Sequence, residues 1–111
     1  MELRRAPRIP VDLPARYRSG RVSLDGRVGN LSQDGMFFLS ALLDEDTREV
    51  GVEIDLPDAD DPLRLVGQVR WIDESLVHSG MGIIFQSLPS DARLRLANFV
   101  LRRAQPDVAS L

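Results

Sequence analysis

The ten residues Leu63-Arg64-Leu65-Val66-Gly67-Gln68-Val69-Arg70-Trp71-Ile72 decide the fold of this chain. Leu63, Leu65, Val69 and Trp71 stand in phase at a period of two, so the segment reads as one long strand with an apolar face. That phase sends Trp71 into the core or against a helix; facing a ligand site, it could instead meet a base.

The same period recurs on both sides of this strand. Downstream, Val77 to Phe85 reads as the last strand, with Met81, Ile83 and Phe85 in phase. Upstream, Gly51-Val52-Glu53-Ile54-Asp55-Leu56 alternates, and Pro57 to Pro62 forms an acidic loop after it. Met36-Phe37-Phe38-Leu39 is a short apolar strand behind the turn signal Asp34-Gly35, with both phenylalanines expected to touch the barrel interior or a helix. Val22 to Leu31 is a strand that Gly26 and Gly29 can bend. Val11, Leu13, Ala15 and Tyr17 face one way in residues 11–18, where Pro14, lacking an N–H, points to an edge or a bulge. Residues 40–49 are mixed and acidic and read as a loop that could include a helical turn. Six strands spaced about ten residues apart predict an antiparallel barrel or sandwich.

The period changes after Pro89. Ser90 is a helix N-cap, Asp91 suits the first turn, and Ala92, Leu96, Phe99, Val100 and Arg103 share one face. Arg102 and Arg103 suit the negative end, and Pro106 stops the helix near residue 104. The chain therefore divides into an Arg-rich arm (1–10), a barrel with one C-terminal helix (11–104) and a disordered tail (105–111).

Composition narrows the chemistry. At 111 residues there is room for one domain with a modest core. With no cysteine and one histidine, His78, neither a thiolate or histidine metal site nor a histidine triad is expected. His78 itself reads as an exposed turn residue. There is no apolar run long enough to span a membrane and no signal-like leader, so a cytoplasmic location is expected. The net charge of −3 conceals a division: residues 1–27 carry seven arginines and three acids, whereas residues 44–61 carry nine acids and one arginine. An anion would be drawn to the first segment and repelled by the second. The acidic stretch lacks calcium-loop spacing and reads as a solvated loop.

Two short motifs carry chemistry. In Arg4-Arg5-Ala6-Pro7-Arg8, Pro7 and the following Pro10 keep the backbone extended, so Arg4 and Arg8 can flank a ligand roughly 13–14 Å long. Their guanidiniums fork to phosphate or to the O6/N7 edge of guanine, and their flat faces stack on bases. In Asn30-Leu31-Ser32-Gln33-Asp34-Gly35, an amide and a hydroxyl lie two residues apart, on the same side if the backbone is extended. Gly35 permits a positive φ or the close approach of a backbone or ligand. Each motif alone is also compatible with a solvated terminus or an ordinary turn.

Taken together, Arg4-xxx-Arg8 followed by Asn30-x-Ser32-xx-Gly35 resembles the paired RxxxR and (D/N)xSxxG elements of the PilZ domain family. Asn30 stands where many members carry Asp, and Trp71 through Gly80-Met81-Gly82-Ile83-Ile84-Phe85 resembles the family's last hairpin. The resemblance covers about residues 3–103. It implies an all-β fold with one C-terminal helix, a six-stranded antiparallel barrel, and cyclic di-GMP as ligand. It further implies that Arg4 and Arg8 clamp phosphate or guanine, that Arg5 faces a second guanine or solvent, that Asn30 and Ser32 bond a guanine edge or phosphate, and that Gly35 admits close approach. A receptor of this kind has no catalytic role or metal. It changes conformation on binding and acts through a partner protein in motility, exopolysaccharide production or other surface behaviour, as monomer or homodimer. A PilZ-fold interaction module that ignores the nucleotide is the alternative. A nucleic-acid-binding barrel is disfavoured by the acidic stretch and by having only one Tyr and one Trp to stack bases.

Overall fold

Alternating side chains do produce six strands, and one helix follows them. The chain is described by a computed structural model covering residues 8–44, 49–57, 59–75, 79–86 and 88–104. The elements are β1 (Ile9–Arg18), β2 (Ser23–Leu31), β3 (Gly35–Leu39), β4 (Glu49–Ile54), β5 (Leu63–Asp73), β6 (Gly80–Phe85) and α1 (Ser90–Ala104). The strands close into a barrel in the order β1-β2-β3-β6-β5-β4. All six pairings are antiparallel.

Closure removes sheet edges, so Pro14 does not mark one. It lies within β1 just beyond Ala15↔Ile54, where the β1–β4 ladder ends, so its missing N–H interrupts no pair of that ladder. Its carbonyl still accepts from Asp55 N at 3.0 Å. A bulge does occur nearby, between Pro10 and Leu13.

The interior is filled by the inward side chains of every strand, among them Val28, Leu31, Met36, Phe38, Ile54, Met81 and Ile83, all fully buried. Tyr17 packs on Phe38 with ring centroids 5.6 Å apart. The helix seats Ala92, Leu96, Phe99 and Val100 against this core. Each large side chain so buried contributes about 1.5–3 kcal/mol of transfer free energy. Arg103 stays at the rim of that face, its guanidinium 4.8 Å above the Phe99 ring. The guanidinium of Arg95 bonds the carbonyls of Asp61 and Pro62, tying α1 to the start of β5.

One expectation about charge is corrected. Asp44 is not solvated: it is 2% exposed. The Tyr17 hydroxyl, itself buried, donates to Asp44 Oδ2 at 2.6 Å, and the Asp44 N–H meets Met81 Sδ at 3.4 Å. A buried phenol requires an acceptor, and the acidic loop supplies it. The basic and acidic segments also meet at one point. Pairing of β1 with β4 sets Arg16 between Glu53 and Asp55, and Arg64 takes the second oxygen of Glu53. Both carboxyls are held below their ordinary range, chiefly by the hydrogen bonds from Arg16.

Candidate functional site

Two irregularities of register build the site. Along β2, Val28 pairs with Phe38 and Asn30 with Phe37, leaving Gly29 as an extra residue. Val28 and Leu31 both remain inside while Gly29 and Asn30 turn outward. Along β5, Val69 pairs with Ile83 and Trp71 with Gly82, leaving Arg70 as the extra residue. Each insertion is a β-bulge, which re-aims the side chains beyond it. Trp71 is therefore 44% exposed instead of buried, correcting the phase drawn from Leu63, Leu65 and Val69.

The registers set Pro10, Asn30, Phe37, Gly82 and Trp71 side by side across β1, β2, β3, β6 and β5 on the outer face. Gly82 lets this row lie flat: a Cβ there would enter the Trp71 indole, so the ring covers the bare backbone. A Cβ at Gly80 would likewise run into the Phe37 ring. Phe38 enters the core and Phe37 does not, as adjacent residues alternate where a strand is regular. Phe37 and Trp71 both line a cavity of about 570 Å³, with Arg8, Asn30 and Asp73.

The two short motifs converge here. Arg8 precedes β1, and its guanidinium donates to Asn30 Oδ1 at 2.5 Å across 22 positions of sequence. Arg4 and Arg5 lie outside the described residues, as does His78. Ser32 is placed differently from Asn30, because β2 ends at Leu31 and the extended backbone does not reach it. Its hydroxyl, 2% exposed with the rest of the side chain, accepts from Asp34 N at 3.0 Å and Gly35 N at 3.1 Å. Ser32 N in turn donates to the Gly35 carbonyl at 2.9 Å. Gly35 itself has no positive φ. It is required by proximity, since a Cβ there would overlap the Ile83 carbonyl on β6. These two residues build the turn that joins β2, which bears Asn30, to β3.

On the other side of Trp71 lies a second cavity of about 770 Å³, lined by Asp34, Arg70, Gln86 and Arg93 around an apolar floor. Trp71 is common to both. Among the described residues no cluster of His, Asp or Glu is arranged to hold a metal. No helix among them is long and apolar enough to cross a membrane.

A closed barrel of six antiparallel strands with one helix after it, bearing an arginine and an asparagine together on its outer face, defines the class. The PilZ domain family model matches residues 2–102, and the chain belongs to that family. No curated protein is similar enough in sequence to be matched to it. Among solved structures it resembles the Bacillus subtilis inhibitor of motility MotI/DgrA, with 17% identity and a TM-score of 0.77 over 93% of this chain and 51% of that one. The chain thus spans about half the length of that protein. It also resembles the PilZ domain of YcgR from Escherichia coli with c-di-GMP, at 14% identity and TM-score 0.72 over 99% of this chain and 100% of that one. The PilZ domain of CeSA from a cellulose-synthesizing bacterium follows at 14% identity and TM-score 0.69, covering 90% and 100%. At such identities the likeness is one of fold.

Proposed function

We propose that this chain is a non-catalytic cyclic di-GMP receptor that signals through a partner protein, in motility, exopolysaccharide production or another surface behaviour. One observation carries the reading: Arg8 meets Asn30 beside Phe37 and Trp71, so a phosphate-binding group, a hydrogen-bonding amide and two aromatic rings share one cavity. The ligand offers the complement, two phosphates and two guanines. Arg8 turns from Asn30 to a phosphate or to guanine O6/N7, with Arg4 and Arg5 closing from the same segment. Asn30, released, bonds a guanine edge. A guanine stacks on Trp71, the more exposed ring. Ser32 and Gly35 serve the site by holding its turn against β6. The Arg4–Arg8 segment folds over the ligand, and the new surface is what the partner reads.

Isothermal titration with cyclic di-GMP tests this. Folded protein is expected to bind at micromolar concentration or better. Arg8→Ala removes charge-assisted bonds and is expected to weaken binding by about 10–100-fold. Folded protein that gives no heat with the nucleotide would end this reading.

A further inference from the structure

We propose that the cavity between β5 and the start of α1 is a guanine subsite, built from Arg70, Arg93, Asp34 and the far side of Trp71. The inference rests on the receptor reading above and extends its site past the indole. The bulge on β5 is the origin of the arrangement. In a regular strand Arg70 and Trp71 would face opposite sides of the sheet. The extra residue turns both outward, each exposed, and so puts a guanidinium beside an aromatic ring on one face. Arg93 reaches the same cavity from the first turns of α1, its guanidinium anchored on the Leu88 carbonyl at 3.3 Å. Asp34 enters from the turn before β3, with its backbone pinned by Ser32 and by the N–H of Phe85.

The chemistry of this set is that of a guanine reader. A guanidinium forks to O6 and N7, and a carboxylate accepts from N1–H and the 2-amino group. Gln33 and Gln86 offer further amides at the rim, and Ile84 and Leu88 give the base an apolar floor. A plain anion site would not add Asp34 to a lining that holds Arg70 and Arg93. A phosphate alone therefore matches the lining less well than a purine that presents acceptors on one edge and donors on the next. The cavity, at about 770 Å³ beside one of about 570 Å³, leaves room for a base past Trp71 while another lies over Phe37.

The test is titration of the full chain with cyclic di-GMP, by calorimetry and by the emission of Trp71, the only tryptophan present. Arg70→Ala and Asp34→Asn are each expected to weaken binding roughly tenfold, the loss of one charged hydrogen-bonding partner. Arg70→Lys keeps the charge without the fork and is expected to recover little. If the subsite holds the far guanine of one ligand, affinity falls at unchanged stoichiometry; if it holds a second molecule, the stoichiometry itself falls. Either outcome supports the subsite. Arg70→Ala and Asp34→Asn binding within twofold of the parent, with Arg8→Ala impaired, would overturn the subsite and leave the receptor reading intact. A folded parent chain that does not bind overturns both. Arg70 and Asp34 are exposed, so unchanged melting temperatures serve as the check that the variants fold.

Discussion

The indole of Trp71 lies over the bare backbone of Gly82, and no other residue type could occupy position 82 without displacing it. The pair links a bulge on β5 to a glycine on β6 and creates the flat outer face on which the candidate site stands. Gly82→Ala is expected to lift the ring. Overpacking of this kind costs about 1–3 kcal/mol. The tryptophan emission should shift to the red as the indole enters water, and cyclic di-GMP affinity should fall with it. An unshifted spectrum with parental affinity would show that the ring does not depend on Gly82.

Ser32 separates a building role from a contacting one. Its hydroxyl accepts two turn N–H groups and is buried, so Ser32→Ala leaves both donors short of a partner. A cost of about 1–3 kcal/mol is expected. It should be read first as a lower melting temperature of the free protein and only then as weaker ligand binding. A variant that melts like the parent but fails to bind would instead assign the hydroxyl to the ligand.

Tyr17 and Asp44 form a buried clasp between β1 and the loop after β3. Tyr17→Phe keeps the ring against Phe38 and removes only the hydroxyl. The Asp44 carboxyl loses a buried donor, so the expected cost is about 1–3 kcal/mol. In a domain of this size each kcal/mol lowers the melting temperature by about 4–8 °C. Thermal unfolding of the variant checks this, and an unchanged midpoint would mean that the clasp contributes nothing net.

Arg16 makes a pH-dependent contribution. It holds the Glu53 and Asp55 carboxyls below their ordinary values of 4.5 and 3.8. Groups with folded values below their unfolded ones stabilise the fold above the ordinary range, and that contribution is lost as pH falls through the folded values. These side chains are one-third or more exposed, so salt also weakens the effect. Melting temperatures followed from neutral pH down into the acid should fall less steeply for Arg16→Gln than for the parent. Parallel curves would remove the network from the account of acid stability.

Much of the architecture was legible because it depends on local pattern. Period-two alternation marked the strands, and the Ser90 cap with the spacing of Ala92, Leu96, Phe99 and Val100 marked a helix whose bounds match Ser90–Ala104. The adjacency of Phe37 and Phe38 also held a signal, for neighbours on a regular strand part, one inward and one outward. The buried state of Asp44 had no such signal. An acid in an acid-rich loop looks solvated until a phenol from β1 reaches it across the barrel wall.

By itself the chain determined six strands, one helix, and the two short motifs that resemble those of the family to which it belongs. Which side chains share the site depends on how the strands pair. A bulge is a mismatch between two strands, visible only once the partner is present. Gly29 and Arg70 are extra residues solely in relation to β3 and β6. Without the second, Trp71 keeps its period and belongs in the core; with it, the ring turns outward and meets the face where Asn30 receives Arg8.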